Sequence, residues 1–139
     1  MIIVDTDVLS SIMLSRPIAI VVEWLDRQPR TSVWTTSVTI FEIRFGAALL
    51  PQGSRRTRLE REIDRVLAAS IEARVLPFDT AAADATAALM AQRRRSGRGG
   101  ELRDAMIAGI AVACNATLAT RNIRHFADLP VPVVDPWAA

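Results

Sequence analysis

The sequence predicts an α/β fold, a three-layer sandwich with a mostly parallel sheet between helices. Two observations carry this. Short apolar runs alternate with helical, amphipathic segments along the whole chain. The first run, residues 1–4 (MIIV), is rich in β-branched residues and apolar on both faces, as a covered central parallel strand must be. Its 139 residues are expected to form one domain, residues 1–139, long enough for a real core.

Taken in order, residues 1–4 form the first strand and Asp5 stands at its end. Thr6 and Asp7 can cap the helix that follows, with Val8, Leu9, Ile12 and Met13 as its buried stripe. Pro17 suits the first turn of a second helix, over 18–27. Residues 32–36 read as the second strand. Thr39 followed by Glu42 has capping-box spacing, and Val38, Phe41, Phe45 and Leu49 make one apolar face. Pro51, Gly53 and Ser54 break the chain before an amphipathic helix over 55–71, whose alternating charges read as a solvated face. Residues 74–78 (RVLPF) are a third strand, and Pro77 marks it as an edge strand or marks its end. Asp79 or Thr80 caps an Ala-rich helix over 81–95 that ends in three arginines. The flexible SGRGG loop leads to a helix with Asp104 on its first turn. Residues 117–119 are the fourth strand, leading to Thr120, Arg121 and Asn122, and residues 131–134 are the fifth.

Composition narrows the partners only a little. Half the residues are hydrophobic and the mean hydropathy is +0.23, so an apolar surface for self-association is plausible. The 17 basic residues, all Arg, face 15 acids, a net charge of +2. The isoelectric point of 9.9 therefore reflects missing Lys and Tyr more than a strong positive field. Arg is the better fork for phosphate, but the absence of Lys reads first as compositional. A lone cysteine, Cys114, reads as a small core residue and excludes disulfide scaffolds and cysteine-based metal sites. With no apolar run near ~20 residues and no signal-like leader, the chain is expected to be soluble and cytoplasmic.

In open α/β sheets, ligands bind at the carboxyl ends of the strands. Asp5, Glu42, Asp104 and Asn122 could all arrive on that edge. Crowded carboxylates raise each other's pKa unless a cation sits among them. Oxygen ligands, with His125 the single histidine, favour Mg²⁺ or Mn²⁺ over zinc. Such an ion activates water and neutralises charge on a phosphodiester under attack. Each acid also has a plainer reading: a turn residue for Asp5, the capping-box partner for Glu42, a first-turn acid favoured by the helix dipole for Asp104. Asp7 reads as a cap. Asp79, Asp84, Asp128 and Asp135 read as structural, and His125 as a packing or surface residue.

These residues resemble a known family. MIIVDTDVLS, SVTIFEIRFG, LPFD, DAMIAGIAVACNATLATRN and the ending VDPW look, in that order, like PIN-domain toxins of the VapC type, and most like the FitB-like subgroup. Each motif alone is weak; their ordered combination, spanning nearly the whole chain, is specific. The resemblance implies an α/β/α PIN fold and a Mg²⁺- or Mn²⁺-dependent ribonuclease, the toxin of a toxin–antitoxin pair. It implies a homodimer and a VapB-like antitoxin that inhibits the toxin and carries a DNA-binding segment, so that the two assemble into a larger DNA-binding complex. By motif, Asp5, Glu42 and Asp104 match the family's metal-binding acids. The fourth position, commonly acidic, is here Asn122, with Thr120 as the polar residue near it. A neutral amide holds a second cation less well, so a one-metal site or lower activity is in play. The extra carboxylate of Asp7, where the family often has Asn, compensates in part if it is not a cap. Arg93, Arg94, Arg95 and Arg98 precede the Asp104 helix and are candidates for the RNA backbone, or simply a solubilising helix end. No aromatic platform for stacking bases is evident.

Two other classes compete. Asp5-Thr6-Asp7-Val8 also resembles the opening motif of haloacid-dehalogenase-type phosphatases, but that class expects a late cation and a downstream acidic pair. Turnover of a phosphomonoester that survives Asp104→Ala and dies with Asp7→Asn would favour it. A catalytically decayed PIN-like binding module is the second; Asn122 supports it, and an Asp5→Ala variant with unchanged RNA cleavage and toxicity would select it.

Overall fold

The computed structural model describes residues 1–138. Five strands form one sheet: β1 (Ile2–Val4), β2 (Val33–Thr36), β3 (Val75–Leu76), β4 (Thr117–Ala119) and β5 (Val133–Val134). Their order is β3-β2-β1-β4-β5 and every pairing is parallel. β1 is thus the central strand, as the apolar run led one to expect; β3 is an edge strand, and Pro77 also follows its end, so both readings of that proline hold. Six helices cover the sheet: α1 (Thr6–Ser11), α2 (Ala19–Asp26), α3 (Ser37–Leu49), α4 (Ser54–Val66), α5 (Thr80–Arg95) and α6 (Leu102–Ala113).

Side chains alternate across a strand, so neighbouring strand residues enter different cores. Val4 and Ala119 face one side, with Val8, Leu9, Val21, Trp24, Ile43, Ile63 and Val66. Ile3 and Leu118 face the other, with Leu89, Ile107, Ile110 and Phe126. On the second face α5 and α6 pack so closely that a Cβ built on Gly109 would lie 1.8 Å from Thr86 Oγ1 and 2.8 Å from the Ala82 carbonyl oxygen. The Thr86 hydroxyl donates to that carbonyl at 2.7 Å, filling the place a larger residue at 109 would need.

Several sequence expectations change. Four strands are shorter than the runs that announce them, while β4 falls on the expected residues 117–119. Pro17 lies before α2, whose N-cap is Ile18. α4 ends at Val66 and is continued by a π-helical turn over Leu67–Ile71. The cap of α1 is Asp5, which accepts from the Val8 N–H, not Thr6 or Asp7. The cap of α3 is Thr36, which accepts from the Thr39 N–H at 3.1 Å. Thr39 is therefore inside the helix, and the Thr39/Glu42 capping box does not form. Asp79 caps α5 as expected. Cys114, read as a core residue, is exposed at the C-cap of α6, because the helix ends before its apolar face reaches that position. The Phe41, Phe45 and Leu49 stripe is not core: these residues are 53%, 47% and 69% exposed, and only Val38 of that face is buried. Nor is Arg93 a solvated helix end. It is buried, and its guanidinium forks onto both carboxylate oxygens of Asp128 at 2.8 and 2.9 Å.

Candidate active site

The sheet order places a topological switch between β1 and β4. From β1 the chain builds outward through β2 and β3; it then returns to add β4 and β5 on the other side. Helices leaving adjacent strands in opposite senses open a crevice at such a point. Asp5 ends β1 and Thr120 ends β4, and they meet there: the Thr120 hydroxyl donates to Asp5 Oδ2 at 2.5 Å. The other oxygen, Oδ1, accepts from the Val8 N–H at 3.1 Å. Asp5 is thus fixed by both neighbouring elements, the start of α1 and the end of β4.

Asp5 is buried, and burial pushes its carboxyl up to about 6. The bonds from Thr120 and Val8 oppose that rise, and the charges of Asp7 and Asp104 add to it. Asp104, on the first turn of α6, is also raised, by burial first and then by Glu101 and Asp7, against the lowering effect of His125. Asp5, Asp7 and Asp104 therefore lie within electrostatic reach of one another. Asp5 has no ion-pair partner among the described residues.

Glu42 comes from α3. Because Thr36 rather than Thr39 caps that helix, Glu42 is free of the capping role and turns toward α1, where it accepts from the Thr6 hydroxyl at 2.7 Å. Its second oxygen lies 3.8 Å from Arg103 Nε. Arg103 is held chiefly by Glu101 at 2.9 Å, and Glu101 caps α6 by accepting from the Asp104 N–H. Asn122 follows β4 and donates from Nδ2 to Asp7 Oδ2 at 2.9 Å. Asp7, read as a cap, is instead an exposed first-turn acid facing the same crevice. His125 is exposed, with Nδ1 3.6 Å from Asp104 Oδ2.

Asp5 and Asp104 are therefore near each other, Glu42 is joined to the cluster through Thr6 and Arg103, and Asn122 is joined through Asp7. Reasoning from sequence missed Glu101, Arg103 and Thr6, and misplaced Asp7. The signal for Glu101 was present, an acid three residues before Asp104 at a loop-to-helix boundary. Nothing in the sequence announced Arg103.

The donor set fits a hard divalent cation: oxygens throughout, two carboxyls raised by burial and mutual repulsion, and no cationic side chain bonded to Asp5. Among the described residues no three His, Cys, Asp or Glu side chains are drawn together into a ready cage. Mg²⁺ does not require one; it keeps several waters and is bound through one or two carboxylates together with substrate phosphate.

A parallel sheet with acids at its switch point defines the class of the domain, an open α/β fold with an acidic crevice. Over residues 2–131 the sequence matches the PIN domain, and the chain belongs to that family. It is 37% identical over 139 residues, all of both chains, to the plasmid stability protein StbB of Pseudomonas syringae pv. tomato. It is 35% identical over 137 residues to the VapC ribonuclease Y4jK of Sinorhizobium fredii, covering 99% of this chain and 98% of the relative. Among solved structures, FitAcB from Neisseria gonorrhoeae superposes with a TM-score of 0.90 at 31% identity over 100% of both chains. The structure of FitAB bound to an IR36 DNA fragment superposes with a TM-score of 0.88 at 31% identity, over 99% of this chain and 96% of that one.

Proposed function

We propose that this chain is the toxin of a type II toxin–antitoxin pair, a ribonuclease that hydrolyses RNA phosphodiester bonds with the help of a divalent cation. The observation that carries the reading is Asp5: a carboxylate buried at the switch point, pressed by two further acids, with no basic group bonded to it. Such a group is costly without a cation. Homology to a VapC ribonuclease supports the activity, and likeness to a pair solved on DNA supports an antitoxin that bridges to DNA.

In this reading Asp5, Asp104 and Glu42 would hold Mg²⁺ or Mn²⁺. When bound, the ion supplies Lewis acidity, lowering the pKa of its water and offsetting charge on the phosphate. The chain's own residues do the rest. Thr120 and the Val8 N–H fix Asp5, so that its orientation does not depend on the ligand. Thr6 holds Glu42 by one oxygen, and the second, 3.8 Å from Arg103 Nε, is the one to accept a proton from attacking water. Asn122 holds Asp7 and leaves its own carbonyl oxygen free to position water.

The exposed Phe41, Phe45 and Leu49 stripe, in which the two rings stack at 5.7 Å, is assigned to a second copy of the chain. A homodimer is what the resemblance implies, and an apolar stripe this exposed is unusual on a monomer. No helix is long and apolar enough to cross a membrane among the described residues.

The test is cleavage of a mixed RNA substrate in Mg²⁺ or Mn²⁺. Wild type is expected to cut and to stop in EDTA. Asp5→Asn is expected to lose ~100-fold or more, the scale of one catalytic group. Cleavage and growth inhibition unaffected by Asp5→Asn would defeat the enzyme reading and leave the binding module.

A further inference from the structure

Beside Asp104 lies an open cleft of about 320 Å³, lined by Arg93, Arg98, Gly99, Gly100, Glu101, Asp104, Arg124 and His125. Most of its charges are already matched. Arg93 is spent on Asp128 and Glu101 is paired with Arg103, while Asp104 belongs to the acidic cluster and lies 3.6 Å from His125 Nδ1. Two cations remain. Arg98 is half-exposed; its one ion-pair partner is Asp128 at 3.6 Å, and both oxygens of that carboxylate are taken by Arg93. Arg124 makes no ion pair or hydrogen bond among the described residues.

The loop between them adds donors. The main-chain N–H groups of Gly99 and Gly100 have no acceptor within the described chain. Packing does not demand glycine here. A Cβ on Gly99 would meet nothing within 4 Å, and one on Gly100 would meet only Arg93 Nη1 at 3.5 Å. Nor does either have a positive φ. Two adjacent residues without side chains leave the main chain open to close approach, and with Arg98 and Arg124 beside them the cleft offers an anion cradle.

We infer that this cradle takes a backbone phosphate of the RNA flanking the scissile one, held by Arg98, Arg124 and the Gly99–Gly100 main chain. The inference rests on the ribonuclease reading and deepens it, since the cleft shares Asp104 with the candidate active site. A second anion site at a fixed offset from the acids sets the register of the strand. It also offsets the repulsion that an acidic site presents to a polyanion. Arg94 and Arg95 do not line the cleft, and Arg93 is occupied. The arginines that matter are therefore not the helix-end run but the two on either side of α6.

The experiment measures binding of a 2′-O-methyl oligoribonucleotide, which is not cleaved, by fluorescence anisotropy in EDTA across a salt series. Proteins are wild type, Arg98→Gln, Arg124→Gln, the double variant, and Arg27→Gln as a control at the end of α2. For a single strand, each lost phosphate contact lowers the slope of log affinity against log salt by about 0.7. The double variant, which gives up that one phosphate, is expected to show the loss; each single variant weakens binding about three- to fivefold, with an unchanged melting temperature for Arg124→Gln. In steady-state cleavage KM rises while kcat holds. The control is unaffected. A slope equal to wild type in the double variant overturns the cradle. A weakened hold on the antitoxin with RNA affinity intact also overturns it, assigning the cleft to the protein partner. Absence of RNA cleavage by wild type in Mg²⁺ or Mn²⁺ defeats the underlying ribonuclease reading itself, an outcome distinct from failure of the cradle alone.

Discussion

Asp5 does two jobs that pull against each other. It caps α1 through the Val8 N–H, and it is a buried carboxylate beside two more. Its folded pKa is raised, so the folded chain binds the proton more tightly than the unfolded one. The stability it contributes when protonated is complete below 3.8 and is lost as pH rises through about 6. In EDTA, Asp5→Asn should therefore melt higher than wild type at pH 7.5, by an amount corresponding to about 1–3 kcal/mol. The gap should narrow toward pH 5. A differential scanning series at both pH values checks this; an Asn variant less stable than wild type at pH 7.5 would show that the cap and the Thr120 bond outweigh burial. Asp128 behaves oppositely. Arg93 holds its carboxyl below the usual range, so its stabilisation is present above about 3.8 and is lost as pH falls. Arg93→Met leaves that carboxylate only the longer pair with Arg98 at 3.6 Å, and up to about 3 kcal/mol should disappear at neutral pH, measured by urea unfolding.

At the scale of elements, the contact between α5 and α6 is the tightest feature. Gly109→Ala forces a methyl into Thr86 and into main chain, so an overpacking loss of about 1–3 kcal/mol or more is expected. The pair Gly109→Ala with Thr86→Ala should recover only part of it, because the Ala82 carbonyl remains 2.8 Å from the new atom. Thermal melts of the single and double variants decide this; full recovery would place the clash on the hydroxyl alone. Element boundaries also explain the site. Thr36 capping α3, rather than Thr39, is what frees Glu42 to reach Thr6.

At the scale of the whole molecule, the apolar stripe on α3 should govern assembly. Phe45→Asp, an exposed position that can take a charge without disturbing the core, is expected to shift the isolated chain from dimer to monomer by light scattering. A wild-type chain that is monomeric at all accessible concentrations would contradict self-association through this face and leave the stripe to the antitoxin. The same stripe shows why periodicity overreached. Val38, Phe41, Phe45 and Leu49 have the spacing of a buried face, and spacing cannot distinguish a core from an interface.

The sequence by itself determined the alternation of strands and helices and the central place of the first strand, and it marked Pro77 as the sign of an edge strand or of a strand end. These follow from local rules: run length, β-branching, and where Pro can sit. It also marked Asp5, Glu42, Asp104 and Asn122, because residues at strand ends and first turns of a parallel α/β fold face one edge. Tertiary structure alone decided what those residues touch. The exact caps, the turning of Glu42 to Thr6, the bond from Asn122 to Asp7 and the burial of Arg93 against Asp128 all join residues dozens of positions apart or depend on a one-turn shift. Hydrophobic periodicity is a property of one element. A cap, an ion pair or a free arginine beside a glycine loop is settled by which elements meet, and that is fixed only when the sheet closes around β1.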